Sequence, residues 1–93
     1  MEKQLFIFRG IDHADSGKLR DGKAVAQREY NLRPADSRMI HGGALYSVDG
    51  APIGTCLVVE AEGLAVARAW IDASPFVESG LFKVMTLERW GSK

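Results

Sequence analysis

The hydrophobic residues of this chain form short runs that are apolar at consecutive positions rather than at alternate ones. The run 5–8 consists of leucine, phenylalanine, isoleucine and phenylalanine, and the runs 57–59 and 81–85 have the same character. Successive side chains of a β-strand point to opposite faces, so each run presents apolar side chains on both of its faces. We therefore predict a sheet that must be covered from both sides.

Turn and helix signals between these runs divide the chain into six elements. Strands are predicted over residues 4–11, 38–48, 53–61 and 81–90, and helices over residues 18–32 and 63–73. Asp49-Gly50 is a hairpin signal, because glycine adopts positive φ at little cost. Pro34 and Pro75 end the two helices, because proline disfavours a helical conformation in the residue before it. Gly42-Gly43 inside the second strand predicts a bulge or a close backbone approach.

Both predicted helices are amphipathic, although to different degrees. The first has a thin apolar face of Leu19, Ala26 and Tyr30. Either Asp15 or Ser16 is expected to cap it, because their side-chain oxygens accept bonds from the free N–H groups of the first turn. The second has apolar residues at helical spacings of three and four, namely Leu64, Ala67, Trp70 and Ile71.

The order β-α-β-β-α-β predicts an α+β, ferredoxin-like fold, with an antiparallel four-stranded sheet and two helices on one face. A second copy, packed sheet to sheet at about 10 Å, is the simplest cover for the other face. We therefore expect a homodimer through the sheet face, of the dimeric α/β-barrel type. The alternative is a monomer, although a whole apolar face normally marks an interface. If Phe6 and Phe8 face the partner sheet, lysine at either position should give monomers or insoluble protein.

Composition narrows the functional classes. The 93 residues are expected to form one domain, 1–93, in which twelve basic residues balance twelve acidic ones, so no nucleic-acid partner is indicated. The sequence has neither an apolar run of the ~18 residues that a membrane helix needs nor a signal-peptide pattern, which predicts a cytoplasmic location without a membrane partner. One cysteine and two distant histidines match no metal-ligand spacing, and no phosphate-binding glycine motif occurs, so neither metal nor cofactor is expected.

Several segments, taken in order, resemble the YciI-like (YCII-related) family. The segments that carry the resemblance in the second half of the chain are 58–60 (Val-Val-Glu), 67–70 (Ala-Arg-Ala-Trp), 74–77 (Ser-Pro-Phe-Val) and 78–81 (Glu-Ser-Gly-Leu). In the first half, Asp12 matches an aspartate after strand one, Arg20 matches an arginine eight residues later, and 39–43 resembles an apolar run ending in Gly-Pro.

The resemblance implies a dimeric protein of ferredoxin-like topology with a cleft suited to small molecules. It also implies an acid/base pair formed by the aspartate after strand one and a histidine on helix one, and some relatives act in elimination chemistry on substituted aromatic rings. Here Gln27 occupies the histidine position and Ser74 replaces a usual aspartate. Because an amide does not exchange a proton near neutral pH as histidine does, the departure at Gln27 bears directly on the reaction.

Three residues are candidates for proton transfer. Asp12 ends the first predicted strand, and burial could make it a general base; otherwise it caps the helix or accepts backbone bonds. His13 lies beside it in sequence and could replace the missing helix histidine, or be a solvated loop residue. His41 could line a cleft or be a strand histidine half covered by a neighbour, nearer the opposite end of the sheet.

Three further residues are candidates for substrate binding. Arg20 could hold an anionic substrate, because a guanidinium matches carboxylate geometry; the alternative is an ion pair with Asp12 or Asp15. Gln27 could hydrogen-bond a ligand, or be exposed on the helix. Phe76 is expected to pack in the core and to close one wall of a pocket.

Two functional hypotheses follow. The first is a small-molecule enzyme of the YciI-like type, which uses acid/base chemistry of the lyase or hydrolase kind in a cleft near the end of strand one. The second is a non-catalytic dimer that binds a small ligand or supports another protein. The loss of the helix histidine favours the second, and the retained Asp12 and Arg20 favour the first. A cofactor-free oxygenase is a third, which rests on fold analogy alone.

Overall fold

The computed structural model describes residues 2–91, so residues 1, 92 and 93 of the predicted domain 1–93 lie outside the described part. The strands are β1 (Gln4–Asp12), β2 (Arg38–Tyr46), β3 (Pro52–Ala61) and β4 (Phe82–Trp90). The helices are α1 (Gly17–Leu32), α2 (Leu64–Asp72) and the one-turn α3 (Pro75–Glu78). All six predicted elements are present with bounds shifted by at most two residues, and α3 was not predicted.

The four strands form one antiparallel sheet in the order β2-β3-β1-β4. The central strands β1 and β3 pair from Gln4 opposite Ala61 to Ile11 opposite Gly54. The structure confirms the predicted ferredoxin-like fold. None of the helices in residues 2–91 is long and apolar enough to cross a membrane.

The core lies between the helices and one face of the sheet. Phe6 and Phe8 on β1 are 1% and 2% exposed and pack against residues of α2, with Leu57 and Val59 of β3 beside them. Strand alternation therefore assigns both phenylalanines to the helix-covered face. Their suggested place against a partner sheet is wrong, because the sequence alternation alone does not say which apolar face the helices cover.

The opposite side of the sheet, which we call the open face, carries the other half of the apolar strand residues. Its apolar members, assigned from the strand register, are Leu5, Ile7 and Ile11 on β1, Leu45 on β2, Cys56 and Val58 on β3, and Val84 and Trp90 on β4. Val84 and Trp90 are 50% and 49% exposed. No helix of residues 2–91 covers this face, so the described chain leaves it open to a partner.

Helix α1 differs most from the sequence prediction, because its buried face is polar. Leu19 and Ala26 of the predicted apolar face are exposed, whereas Arg20 and Gln27 are 7% and 4% exposed. Only Tyr30 of that face is half-buried. Its hydroxyl donates to the Trp70 carbonyl at 2.7 Å, and burial raises the pKa of the Tyr30 phenol, which keeps it a donor.

The ends of α1 follow local backbone preferences. Ser16 occupies the N-cap position, but its hydroxyl donates to the carbonyl of His13 at 2.6 Å and does not cap the helix. Asp15 has a φ of 58°, a left-handed conformation that aspartate tolerates better than most residues. Arg33, which precedes Pro34, is extended and ends the helix as predicted.

Helix α2 buries three of its four predicted apolar residues, and Leu64 at its start is 52% exposed. The Ser74 hydroxyl donates to the carbonyl of Ile71 at 2.7 Å and ends this helix. Pro75 then begins α3, because its fixed φ and missing N–H suit the first position of a helix. The short helix places Phe76 in the core next to α1.

The glycines in and near the β2–β3 hairpin have two different structural roles. Gly50 has a φ of 88°, and the Ser47 N–H donates to the Ala51 carbonyl at 2.8 Å, which confirms the hairpin. The bulge in β2 lies at Ile40, two residues before Gly42. Gly42 itself is a position of close approach, since a Cβ there would overlap the Leu57 side chain.

Replacing Gly54 with alanine is expected to destabilise the fold. A Cβ at Gly54 would overlap the carbonyl oxygen of Gly10 on the neighbouring central strand, and that backbone has little freedom to move. Overpacking of this kind costs about 1–3 kcal/mol. Denaturant unfolding measures the change, with Gly22→Ala as the control. Gly22 is in α1 with nothing within 4 Å of its Cβ position, so we expect that variant to gain about 0.5–1 kcal/mol.

Candidate functional site

The polar face of α1 forms one wall of a cavity. Arg20, Ala24, Gln27 and Asn31 succeed one another at intervals of four, three and four, which places them on one side of a helix. They face the β2–β3 half of the sheet across a cavity of about 260 Å³. The remaining lining residues are Arg28, Met39, Gly42, Gly43, Ala44, Thr55, Leu57 and Phe76.

A buried ion pair lies at one end of this cavity. Arg20 Nε donates to Asp12 Oδ2 at 2.7 Å, and Arg20 Nη2 donates to Asp12 Oδ1 at 2.9 Å. The side chains of Arg20 and Asp12 are 8% and 7% exposed. Such a bidentate pair fixes both the position and the plane of the guanidinium. Asp12 lies behind Arg20 and is not among the residues that line the cavity.

Two further contacts hold the guanidinium. Arg20 Nη2 donates its second hydrogen to Thr55 Oγ1 at 2.9 Å, and the Arg20 carbon Cζ lies 4.9 Å from the centre of the Phe76 ring. Nη1 has no hydrogen-bond partner among residues 2–91. Every fully buried side-chain nitrogen or oxygen atom in that range does have a hydrogen-bond partner. The Nη1 amino group is therefore not fully buried, and Arg20 is among the residues that line the cavity.

Gln27 joins α1 to α3. Its Oε1 accepts from the Phe76 N–H at 2.8 Å, and its Nε2 donates to Asn31 Oδ1 at 2.8 Å. Because a backbone N–H can only donate, it determines which end of the Gln27 amide carries the oxygen. The buried Gln27 thus positions Phe76, and it is not an exposed helix residue.

The structure brings four of the six predicted site residues together, namely Asp12, Arg20, Gln27 and Phe76. His13 is exposed in the loop after β1, where its backbone N–H donates to the Leu81 carbonyl at 2.9 Å. It does not line the cavity.

His41 lies on the far side of the sheet because of the bulge at Ile40. Met39 pairs with Val59, and His41 pairs with Val58, so one extra residue of β2 is accommodated between them. An extra residue reverses the face to which every following side chain points. His41 consequently points to the open face, and Gly42 lies at the cavity instead.

Three polar residues that line the cavity were not among the sequence candidates: Arg28, Asn31 and Thr55. Asn31 is detectable from its helical spacing to Arg20 and Gln27, once α1 is known to bury polar residues. Thr55 is a hydroxyl residue in register with the apolar Leu57 and Val59 on the helix-covered face of β3. Among the lining residues, two are cationic and none is acidic. No group of acidic, histidine and cysteine residues in positions 2–91 could hold a metal ion.

The fold and this cavity agree with membership of a known family. The YCII-related domain family matches residues 6–91, and the chain belongs to this family. No curated protein is a significant match.

Several solved structures share the fold. One is the 5-chloro-2-hydroxyhydroquinone dehydrochlorinase TftG from Burkholderia phenoliruptrix AC1100, in complex with 2,5-dihydroxybenzoquinone (TM-score 0.85, 24% identity, 96% of this chain and 95% of that chain). A dimeric ferredoxin-like protein of unknown function from Thermobifida fusca YX has a TM-score of 0.60 at 9% identity, over 98% of this chain and 92% of that one. SnoaB, a cofactor-independent oxygenase from Streptomyces nogalater, has a TM-score of 0.55 at 11% identity, over 100% and 95%.

Proposed function

We propose that the cavity beneath α1 binds a small organic molecule and that this binding is the function of the chain. The observation that carries the proposal is the buried Arg20, which lines a 260 Å³ cavity and whose Nη1 amino group has no hydrogen-bond partner among residues 2–91. A buried ion pair contributes little net stability compared with apolar residues of similar volume. The Asp12–Arg20 pair is therefore better explained by ligand recognition than by a need for stability.

Binding without proton transfer is favoured by the kinds of side chain around the cavity. Its lining has no histidine, carboxylate, thiol or phenol, so it lacks the usual side chains for general acid/base catalysis. Asp12 has both oxygens in hydrogen bonds to Arg20. Gln27, at the position where the family resemblance implies a histidine, has its oxygen bonded to the Phe76 N–H.

Acid/base catalysis is the second candidate, and membership of the YCII-related family together with the fold shared with TftG supports it. In this candidate Arg20 turns towards the substrate and leaves Asp12 free to accept a proton. His13, the next residue in the sequence, is the partner of Asp12 in proton transfer. His41 takes part only if a rearrangement of β2 moves it across the sheet.

The test is calorimetric titration of the protein with 2,5-dihydroxybenzoquinone and 5-chloro-2-hydroxyhydroquinone. We expect binding of at least one compound, and Ala44→Phe should weaken it by about tenfold or more, equivalent to at least 1.4 kcal/mol. Ala44 is an exposed β2 residue that lines the cavity, so a phenylalanine there fills part of the space and leaves both residues of the ion pair in the chain. Ala26→Phe, on the outer side of α1, is the control and should bind normally.

The same titration distinguishes the two candidates when chloride is followed with an ion-selective electrode. We expect the chlorinated compound to bind without chloride release. Release that disappears in Ala44→Phe but persists in Ala26→Phe would establish catalysis instead. Failure of both compounds to bind, or equal binding by the two variants, would refute a ligand site in this cavity.

We further propose that two chains associate through the open face. The support is the group of apolar strand residues that no helix of residues 2–91 covers, and the description of the Thermobifida fusca protein of the same fold as dimeric. A large apolar patch on a small protein normally marks an interface.

A further inference from the structure

The hydrogen-bonding groups around the cavity are mostly donors. Arg20 Nη1 has two hydrogens without a partner among residues 2–91, and Gln27 Nε2 uses one of its two in the bond to Asn31. Thr55 Oγ1 accepts from Arg20, which leaves its hydroxyl hydrogen to point elsewhere. The amide oxygens, in contrast, are engaged: Gln27 Oε1 by the Phe76 N–H and Asn31 Oδ1 by Gln27. These contacts favour a ligand that supplies acceptors.

The charges around the cavity favour the same kind of ligand. Arg20 is neutralised by Asp12, but Arg28 lines the cavity and forms no ion pair within residues 2–91. No carboxylate lines the cavity. The local charge is consequently positive, which attracts anions and repels cations of similar size.

The shape of the cavity limits the rest of the ligand. The other walls are largely apolar, with Met39 and Leu57 among them, and the Phe76 ring lies against Arg20. On the sheet side lies Gly42, which has no side chain to occupy the space between them. A cavity of about 260 Å³ is slightly below the usual range for drug-sized ligands, ~300–1,000 Å³. A single flat ring fits this description better than an extended chain.

We infer that the cavity selects a small, planar organic anion whose charged oxygen is held by Arg20 Nη1 and the Thr55 hydroxyl. This inference rests on the proposed binding function and names the ligand class of the same site. Thr55 is the specificity-determining residue. Valine has the same shape as threonine, so Thr55→Val removes the 5% exposed hydroxyl, which is also the acceptor for Arg20 Nη2, with little change in side-chain volume.

The test compares two probes of matched shape, 2-hydroxybenzoate and its neutral amide, by calorimetric titration. We expect the anion to bind at least about tenfold more tightly than the amide, because hydrogen bonds to a charged acceptor are stronger than those to a neutral one. Thr55→Val should remove most of this difference by lowering the affinity for the anion and leaving the affinity for the amide unchanged. Thr55→Ser, which retains the hydroxyl, should preserve it.

Salt dependence gives a second, independent measurement. Arg28→Gln should reduce the fall in 2-hydroxybenzoate affinity between low and high salt, because screening acts on accessible charges. Arg68→Gln removes an exposed arginine of α2 that does not line this cavity, and it should leave the salt dependence unchanged.

Equal affinity for the benzoate and the amide in the wild-type protein would overturn the inference, and this comparison needs no variant to fold. If both probes bind equally and Ala44→Phe excludes both, the binding function survives while the anion selectivity fails. If neither probe binds while 2,5-dihydroxybenzoquinone, itself a planar anion at neutral pH, does bind, the inference is wrong if Thr55→Val binds this quinone as tightly as the wild-type protein.

Discussion

Replacing Asp12 with alanine is expected to lower the free energy of unfolding by about 3–5 kcal/mol, as for other buried ion pairs that lose one partner. The Arg20 side chain is 8% exposed and donates two of its three side-chain hydrogen bonds to Asp12. Without that carboxylate, a buried guanidinium remains without a counter-charge. Urea unfolding followed by circular dichroism measures the loss, and a variant that no longer folds at room temperature agrees with it.

Two controls separate this effect from an ordinary loss of charge. In Asp12→Ala/Arg20→Leu both partners are absent, and much of the lost stability should return, since no buried charge is left unpaired. Asp72→Ala removes an exposed carboxylate that lies 3.8 Å from Arg68 on α2, and it should cost at most about 1 kcal/mol. If Asp12→Ala costs no more than Asp72→Ala, Arg20 is not held in the buried pair.

Replacing Ile7 with lysine should convert the proposed dimer into a folded monomer, whereas Phe8→Lys should prevent folding. Both residues are apolar and adjacent on β1, but Ile7 is partly buried on the open face and Phe8 is 2% exposed in the core. A lysine on the open face places its charge in the interface and leaves the helix-side core intact. A lysine at Phe8 buries an unpaired charge, which no local adjustment compensates. Sedimentation measures the assembly, and circular dichroism measures folding.

The control for the assembly experiment is Leu32→Lys at the exposed end of α1, where the residue is 72% exposed and away from the sheet. That variant should sediment as the wild-type protein does. A wild-type chain that remains a monomer at high concentration would refute the dimer. An Ile7→Lys variant that remains a dimer would place the interface elsewhere.

The order and type of the six main elements could be read from local sequence signals. Asp49-Gly50 specified the hairpin and the two prolines specified helix ends, because these signals act through the φ/ψ limits of a few neighbouring residues. The one-turn helix at Pro75–Glu78 was missed. Pro75 was read as the end of one helix, whereas it also occupies the first position of the next.

The candidate site was predicted in part, through the family resemblance rather than through any chemical motif. The resemblance singled out Asp12, Arg20 and Gln27, and the structure brings these residues together under α1. It did not single out Thr55, which lies 35 residues from Arg20 in the chain and joins it only through the pairing of β1 with β3. Contacts of that kind depend on sheet register, which a single sequence does not contain.

The apolar face of α1 shows why periodicity alone was insufficient there. Leu19 and Ala26 matched the expected apolar stripe, yet the helix buries Arg20 and Gln27. Burial of polar side chains is favourable only when specific partners satisfy them, and those partners, Asp12, Thr55 and the Phe76 N–H, come from other elements. Periodicity of hydrophobic residues therefore pointed to the wrong side of this helix.

Local patterns in the chain were sufficient to predict the strands, the helices, their order and the apolar side chains on both faces of the sheet, because each depends on residues close together in the sequence. The tertiary structure decided which face the helices cover and where the cavity lies. It also decided that one extra residue at Ile40 directs His41 away from the cavity. These outcomes depend on sheet register, because a shift of one residue in the strand pairing moves each side chain to the opposite face of the sheet.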